Sequence, residues 1–213
     1  MGMSLAAEMQ AVIANLESRE WIQGKEVKGD AVCAHGAVKT CELLRPGDEQ
    51  IIRAVMRRRG LTEGWNDADG RTKSQVLARM RQIEVSDADL AETFGPNWRL
   101  VIAVIRRVAI LTPDEMKQLA NPRLGMPYAV LDTALNSAWN AASDVARTAE
   151  WHSAWNAARC ATSARSSRGV NVAAICVVAD LVGQHGLTQD HIDTLMKPWT
   201  DVLGDNWAEG MLP

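Results

Sequence analysis

Phenylalanine and tyrosine are almost absent from this chain: one of each occurs among 213 residues, against eight tryptophans. Proteins rich in β-structure draw on Tyr, Phe and β-branched residues, so this bias argues against a fold built on sheets. Long apolar runs are also lacking. The longest, residues 170–182, contains Asn171 and Asp180 and is too short to cross a bilayer. We therefore expect neither a large sheet nor a membrane-spanning segment.

Paired cysteines and a surplus of positive charge are missing too. The four cysteines form no Cys-x-x-Cys pair, and the first 20 residues lack the continuous apolar core of a secretory signal. These features predict reduced thiols and a cytoplasmic protein. The formal net charge of −3 argues against a general nucleic-acid-binding protein.

A repeated hexapeptide is the clearest positive feature. Ser-Ala-Trp-Asn-Ala-Ala occurs at residues 137–142 and again at residues 153–158, inside an alanine-rich stretch over residues 135–164. Alanine favours helix, so this stretch predicts one long helix. We expect Trp155 to be core, packed with Trp151 against the helix that follows a short turn at residues 166–169. Trp139 falls on the opposite side and is a candidate partner-binding or dimer-forming surface.

Helix-start signals recur along the chain, with apolar residues at helical spacing between them. The first helix is predicted over residues 5–21 and a second over residues 31–44, with loops at residues 24–30 and 61–71. The first helix has one apolar stripe, formed by Leu5, Met9, Val12, Ile13 and Leu16. Residues 170–185 predict an apolar helix with Val172, Ile175, Val178 and Ala179 on one face. The predicted N-caps are Ser4, Thr72 in a capping box with Gln75, Ser86 with Asp89, Thr112 with Glu115, and Thr188.

These signals predict an all-α protein: a multi-helix bundle of about nine helices, with one long Ala/Trp-rich helix and no sheet of more than two strands. We expect an N-terminal helical domain over residues 1–88 and a C-terminal helical bundle over residues 89–213, packed together as one unit.

Four segments in the first half form an ordered set: Trp21 to Gly24, Cys33-Ala34-His35-Gly36-Ala37, Trp65-Asn66-Asp67, and Arg71-Thr72. The set resembles an uncharacterised domain family of actinobacteria and their bacteriophages. That family's pattern is a Trp, a Cys-x-x-Gly-Ala segment, and a Trp-Asn-Asp loop before a helix that starts near an Arg-Thr pair. The resemblance covers residues 21–80 and carries no assigned activity.

The second half resembles C-terminal extensions of actinobacteriophage proteins, through its Ala/Trp-rich helix and its ending over residues 187–199. The two resemblances together imply a phage or prophage product.

The loop at residues 61–71 holds the candidate ligand- or partner-binding residues Trp65, Asn66, Asp67 and Arg71, to which Trp139 is added from the second half. Asn and Asp are turn-forming residues, and the spacing of a calcium loop is not met. We favour hydrogen bonds from Asn66 and Asp67 to the backbone of the loop at residues 24–30. Contact with a ligand is the alternative.

Three further sets of residues are of types that can bind a metal, act as a nucleophile or bind phosphate. Cys33, His35 and Cys41 lack a fourth ligand at suitable spacing, so we expect no metal site and a chain that folds without one. Cys33 beside His35 has the residue types of a thiol nucleophile and its base. The arginines at positions 53, 57–59, 79 and 81 are a possible phosphate-binding patch, but no DNA-binding signature accompanies them.

No catalytic residues and no cofactor are therefore predicted. Tryptophan and methionine on helices are typical of surfaces that recognise other proteins. The leading hypothesis is a non-enzymatic, phage-encoded interaction protein that binds a host protein or self-associates. The alternatives are a protein that binds or sequesters a small ligand such as a nucleotide signal, and a cysteine-dependent enzyme using Cys33.

Overall fold

The computed structural model describes residues 3–120, 130, 133–134, 136–138, 140, 149–162, 167–179, 182–183 and 186–212, with the backbone alone for residues 120, 149–155, 167–171 and 174. By its contacts the chain divides into two compact parts. We call Met1–Leu90 the N-terminal unit and Ala91–Pro213 the C-terminal unit.

The N-terminal unit combines short helices with one small hairpin. Its strands pair antiparallel, with Val27 opposite Val32 and Lys28 opposite Ala31. The elements in chain order are α1 (Leu5–Glu17), β1 (Val27–Lys28), β2 (Ala31–Val32), α2 (Ala34–Lys39), α3 (Asp48–Arg58), α4 (Glu63–Asn66) and α5 (Lys73–Arg81), followed by α6 (Asp87–Phe94).

The regular structure in the rest of the described chain is helical. It forms α7 (Trp98–Ala109), α8 (Pro113–Ala120), α9 (Ala149–Thr162), α10 (Ser167–Val178) and α11 (Gln189–Leu203). The described residues thus contain eleven helices with defined bounds, further helical residues at positions 130, 133–134, 136–138 and 140, and one two-stranded sheet, where about nine helices were expected. The predicted all-α class is confirmed.

The five predicted N-caps are confirmed, because each depends on groups within three residues of one another. The side chain of Thr72 accepts from the backbone N–H of Gln75, whose own side chain accepts from Thr72 N at 3.0 Å. The other caps form at Ser4, Ser86, Thr112 and Thr188. Local hydrogen bonding alone therefore fixes these boundaries.

The core of the N-terminal unit forms where α1 packs against α2, α3 and α5. The predicted apolar stripe of α1 is buried throughout, and it meets buried residues of α3 and α5. These residues are Leu5, Met9, Val12, Ile13 and Leu16 on α1, Ile51, Ile52, Val55 and Met56 on α3, and Val76 and Met80 on α5.

The C-terminal end of α1 is held by cations from α5. Nζ of Lys73 donates to the carbonyl oxygens of Glu17, at 2.8 Å, and of Arg19, at 2.5 Å. Arg81 pairs with the Glu17 carboxylate. Helix α1 has no basic residue in its own last turn, so α5 supplies the positive charge that favours this end of a helix.

The helix predicted over residues 31–44 is wrong. Ala31 and Val32 form β2, Cys33 is the N-cap, and α2 ends at Lys39. Val32 N donates to Glu20 O at 2.8 Å, which holds this segment extended against the chain that follows α1. The same pairing explains why α1 ends at Glu17 and not at residue 21, and why the loop at residues 24–30 contains β1.

The C-terminal unit buries eight of the twelve residues of α7 and every described side chain of α10. The described side chains of α10 confirm the expected apolar face, with Val172, Ile175 and Val178 buried. The turn predicted at residues 166–169 is wrong, since α10 begins at Ser167 and includes Gly169. Trp139 and the side chains of Trp151 and Trp155 lie outside the described residues, so their predicted roles stay predictions.

Candidate functional site

The loop predicted at residues 61–71 contains a single helical turn. Thr62 caps α4 by accepting a hydrogen bond from Trp65 N at 3.1 Å. The guanidinium of Arg71 then lies over the Trp65 ring, 3.8 Å from the ring centre, and Arg71 Nε donates to Trp65 O at 3.2 Å. One face of this indole is therefore occupied from within the chain, and an incoming aromatic group could not stack on that face.

The side chain of Asn66, in this segment, makes three hydrogen bonds and is fully buried. Its Oδ1 accepts from Trp21 Nε1 and from Ala34 N, both at 3.3 Å. Its Nδ2 donates to Asp67 Oδ1 at 2.7 Å. A buried carboxamide with these bonds ties the loop to the chain before and after the hairpin, which is a structural role.

The expected partners of Asn66 and Asp67 are wrong. Asn66 bonds Trp21 and Ala34, which flank the loop at residues 24–30, and the exposed Asp67 carboxylate accepts a hydrogen bond from Asn66. The link to the 24–30 side comes from Gln23, whose Nε2 donates to the carbonyl oxygens of Asn66 and Ala68. The four sequence candidates are thus close together, but Asn66 is not open to a ligand.

Cys33 and His35 are both buried and bond different groups. Cys33 Sγ accepts from Gly36 N at 3.3 Å and so caps α2, and burial raises the pKa of the Cys33 thiol. His35 Nε2 lies 3.1 Å from Leu61 O, which can only accept, so this nitrogen carries the hydrogen. Burial lowers the pKa of His35, which keeps the imidazole neutral. A neutral imidazole and a protonated thiol do not form the activated pair that a cysteine enzyme needs.

Burial also predicts the order in which three of the four thiols react. Cys160 is exposed, whereas burial raises the pKa of Cys176 to about 12 from an ordinary value of 9.0, an about thousandfold loss of thiolate. We expect iodoacetamide to label Cys160 first and to reach Cys33 and Cys176 only after unfolding. Mass spectrometry of the labelled peptides measures this order. Labelling of Cys33 at the rate of Cys160 would contradict it and would support the cysteine-enzyme alternative.

The arginines of the possible phosphate patch are engaged within the chain. Arg53 Nη1 donates to Glu26 at 2.7 Å, and Arg57 and Arg59 pair with Glu63 and Asp89. Arg79 donates to a backbone carbonyl at 2.6 Å, and Arg81 pairs with Glu17. The hydrogen bond from Arg57 lowers the pKa of Glu63 to about 2, so that pair stays charged. These ion pairs use much of the positive charge that a phosphate patch would need.

Within the described part of the chain, no group of three or more His, Cys, Asp or Glu side chains is arranged to hold a metal ion. Nor, among those residues, is any helix both long and apolar enough to cross a membrane.

Two features were missed at the sequence level. One is a buried carboxyl pair, Glu8 and Asp48, next to Arg45. Its signal was available, because Glu8 lies three residues after Leu5 and four before Val12, inside the apolar stripe of α1.

The other missed feature is an open cleft of about 840 Å³, which we call the α1–α2 groove. Its lining includes Ala11 and Ala14 of α1, the C-cap Ser18 of that helix, and Thr40 and Leu43 beyond α2. The signal for the first wall was a run of small residues at helical spacing on α1. The second wall depends on where α2 ends, which the sequence did not predict.

The fold and site thus define an all-α chain of two units, with a small hairpin and a tied loop in the first. A family of unknown function (DUF6197) matches residues 2–84, which is nearly all of the N-terminal unit and less than half of the chain. The expected similarity to an uncharacterised domain family is therefore confirmed, over a wider span than residues 21–80. Searches of curated proteins and of solved structures gave no match.

Proposed function

We propose that this chain is a phage-encoded, non-enzymatic interaction protein of the host cytoplasm, and that its N-terminal unit binds one helix of a host protein in the α1–α2 groove. The observation that carries the proposal is the shape and lining of that groove. The Cys33 thiol, the His35 imidazole and the Asn66 carboxamide are buried and make structural hydrogen bonds, which supports a binding role over a catalytic one.

The wall of the groove formed by α1 allows a partner helix to pack closely against it. Ala11, Ala14 and Ser18 are spaced three and four residues apart, so they share one face of α1. Small side chains on a shared face let a second helix backbone approach closely. Leu43 stands at the opposite wall with 63% of its surface exposed, the largest exposure among the exposed large apolar side chains of the described residues. An apolar side chain in this position is an anchor for a partner's apolar stripe.

The charges at the groove indicate the partner's character. Arg19, Lys39 and Glu42 all line it, so cations outnumber anions there by one. Arg19 Nη1 is fixed by a 2.8 Å bond to Thr40 Oγ1, and the Lys39 side chain, which pairs with Glu26, is 57% exposed. A partner helix with an apolar stripe and an acidic edge complements this arrangement. The Trp65 loop supports the nucleotide-binding alternative less well, because Arg71 already covers one face of the indole.

We expect Leu43→Asp to weaken partner binding at least about tenfold, since it places a charge where an apolar contact is buried. Leu100→Asp is the matched control, because Leu100 is an exposed leucine of α7 in the other unit. A photo-crosslinking residue at position 43, used in lysate of an actinobacterial host, identifies the partner peptide. The purified partner is then titrated against the wild type and both variants.

A crosslinked host helix with acidic residues beside its apolar stripe, bound more weakly by Leu43→Asp alone, is the expected result. Crosslinking to a second copy of this chain would replace the host partner with self-association. Equal binding by the wild type, Leu43→Asp and Leu100→Asp would show that the partner does not bind in the groove.

A further inference from the structure

Three ionisable side chains meet between α1 and α3. Glu8 lies on α1, Asp48 is the first residue of α3, and Arg45 precedes α3 in the chain. Arg45 Nε lies 3.2 Å from Glu8 Oε1 and 3.1 Å from Asp48 Oδ2. Both carboxyl groups are fully buried, whereas the Arg45 side chain is 32% exposed. One partly exposed cation, Arg45, therefore pairs with two buried carboxyl groups.

The second oxygen of Glu8 shows how this imbalance is resolved. Glu8 Oε2 is buried, and no donor within the described residues reaches it. A proton on this oxygen turns it into a donor, and the Asp48 carboxylate lies within hydrogen-bonding reach. Burial, together with Asp48, raises the pKa of Glu8 to about 7 from an ordinary value of 4.5. Both acids lie in the first turn of a helix, Glu8 in α1 and Asp48 in α3, so the helix dipoles do not decide which of them carries the proton.

We infer that Glu8 and Asp48 share one proton. This shared proton stabilises the packing of α1 against α3 and makes the stability of the N-terminal unit sensitive to pH near neutrality. The shared proton satisfies the oxygen that is otherwise unpartnered and leaves a single carboxylate for Arg45. Loss of the proton leaves two negative charges in the buried junction, which costs free energy of folding.

The direction of the effect follows from the raised pKa. A carboxyl group that holds its proton more tightly in the folded state stabilises the fold fully below its unfolded pKa of 4.5, and this contribution is lost as the pH rises through about 7. His35 acts in the opposite sense, because its lowered pKa gives stability that is lost as the pH falls. The test must therefore compare variants at each pH.

The charged groups of the other helices packed on α1 act elsewhere. On α5, Lys73 and Arg81 bond the far end of α1 at Glu17, and on α2, Lys39 pairs with Glu26. On α3, Arg53 pairs with Glu26 and Glu49. The groups that act on Glu8 are Asp48 and Arg45.

Glu8→Gln tests the shared proton, because glutamine mimics a protonated Glu that cannot ionise. Its oxygen accepts from Arg45 and its amide donates to Asp48 at every pH. Relative to Glu8→Gln, the unfolding equilibrium constant of the wild type is expected to rise about 70-fold between about pH 5 and about pH 8. Glu17→Gln is the matched control on the same helix, since the Glu17 side chain is 43% exposed. Urea denaturation and hydrogen exchange of α1 and α3 amides measure these differences.

An infrared titration of the wild type keeps the inference testable if Glu8→Gln fails to fold. A protonated-carboxyl band that persists at about pH 6 and disappears near pH 7 is expected, because ordinary carboxyls have ionised by then. Absence of that band would overturn the inference. So would a wild-type pH profile that runs parallel to that of Glu8→Gln, whereas parallel profiles of the wild type and Glu17→Gln support it.

Discussion

Replacing Gly36 with alanine is expected to prevent the N-terminal unit from folding, at a cost of at least about 3 kcal/mol. A Cβ atom at this position would lie 1.7 Å from the carbonyl oxygen of Glu26. That oxygen is backbone and also accepts from Cys33 N at 3.0 Å, so it cannot move away without breaking the bond that joins the hairpin to the start of α2. Circular dichroism and urea denaturation measure the loss.

Gly64→Ala is the matched control for this prediction. Gly64 lies in α4, is exposed, and has no atom within 4 Å of the added Cβ. Alanine is the better helix former, so this change is expected to be neutral or to stabilise the protein by about 0.5–1 kcal/mol. A Gly36→Ala protein with the same denaturation midpoint as Gly64→Ala would show that the hairpin does not approach α2 as closely as described.

Asn66→Ala is expected to destabilise the N-terminal unit by about 3 kcal/mol. The substitution removes the oxygen that accepts from Trp21 Nε1 and Ala34 N, and the second of these donors is fully buried. An unsatisfied buried donor costs about 1–3 kcal/mol, and the bond to the partly buried indole is lost as well. The free energy of unfolding from urea denaturation measures the effect.

Asp69→Ala serves as the control in the same loop, because Asp69 is exposed and is expected to contribute less than about 0.5 kcal/mol. If Asn66→Ala proved as stable as Asp69→Ala, the carboxamide would not be needed for folding. That result would favour the alternative in which Asn66 contacts a ligand.

Features that depend on neighbouring residues could be predicted from the sequence. The capping boxes at Thr72 and Thr112 each lie within a four-residue window, so the helices that they begin were predicted correctly. The apolar stripe of α1 was predicted for the same reason, since a helix repeats its faces every three or four residues.

Features that depend on distant residues could not be predicted. The bond between Val32 N and Glu20 O turns the start of a predicted helix into a strand, and nothing near Val32 signals it. The candidate site divides in the same way. Trp65 and Arg71, which are in contact, are six residues apart in one predicted loop, whereas two hydrogen-bond partners of Asn66 are 45 and 32 residues away.

The lysine that α5 provides to the end of α1 has a consequence for synthesis on the ribosome. Lys73 follows Glu17 by 56 residues, and both carbonyl oxygens that it binds are made long before it. A nascent chain that ends before α5 therefore has neither the cation for that end of α1 nor the apolar face that α5 packs against α1. Because contacts between distant residues form late in folding, we expect this unit to complete its core only after α5 has left the ribosome.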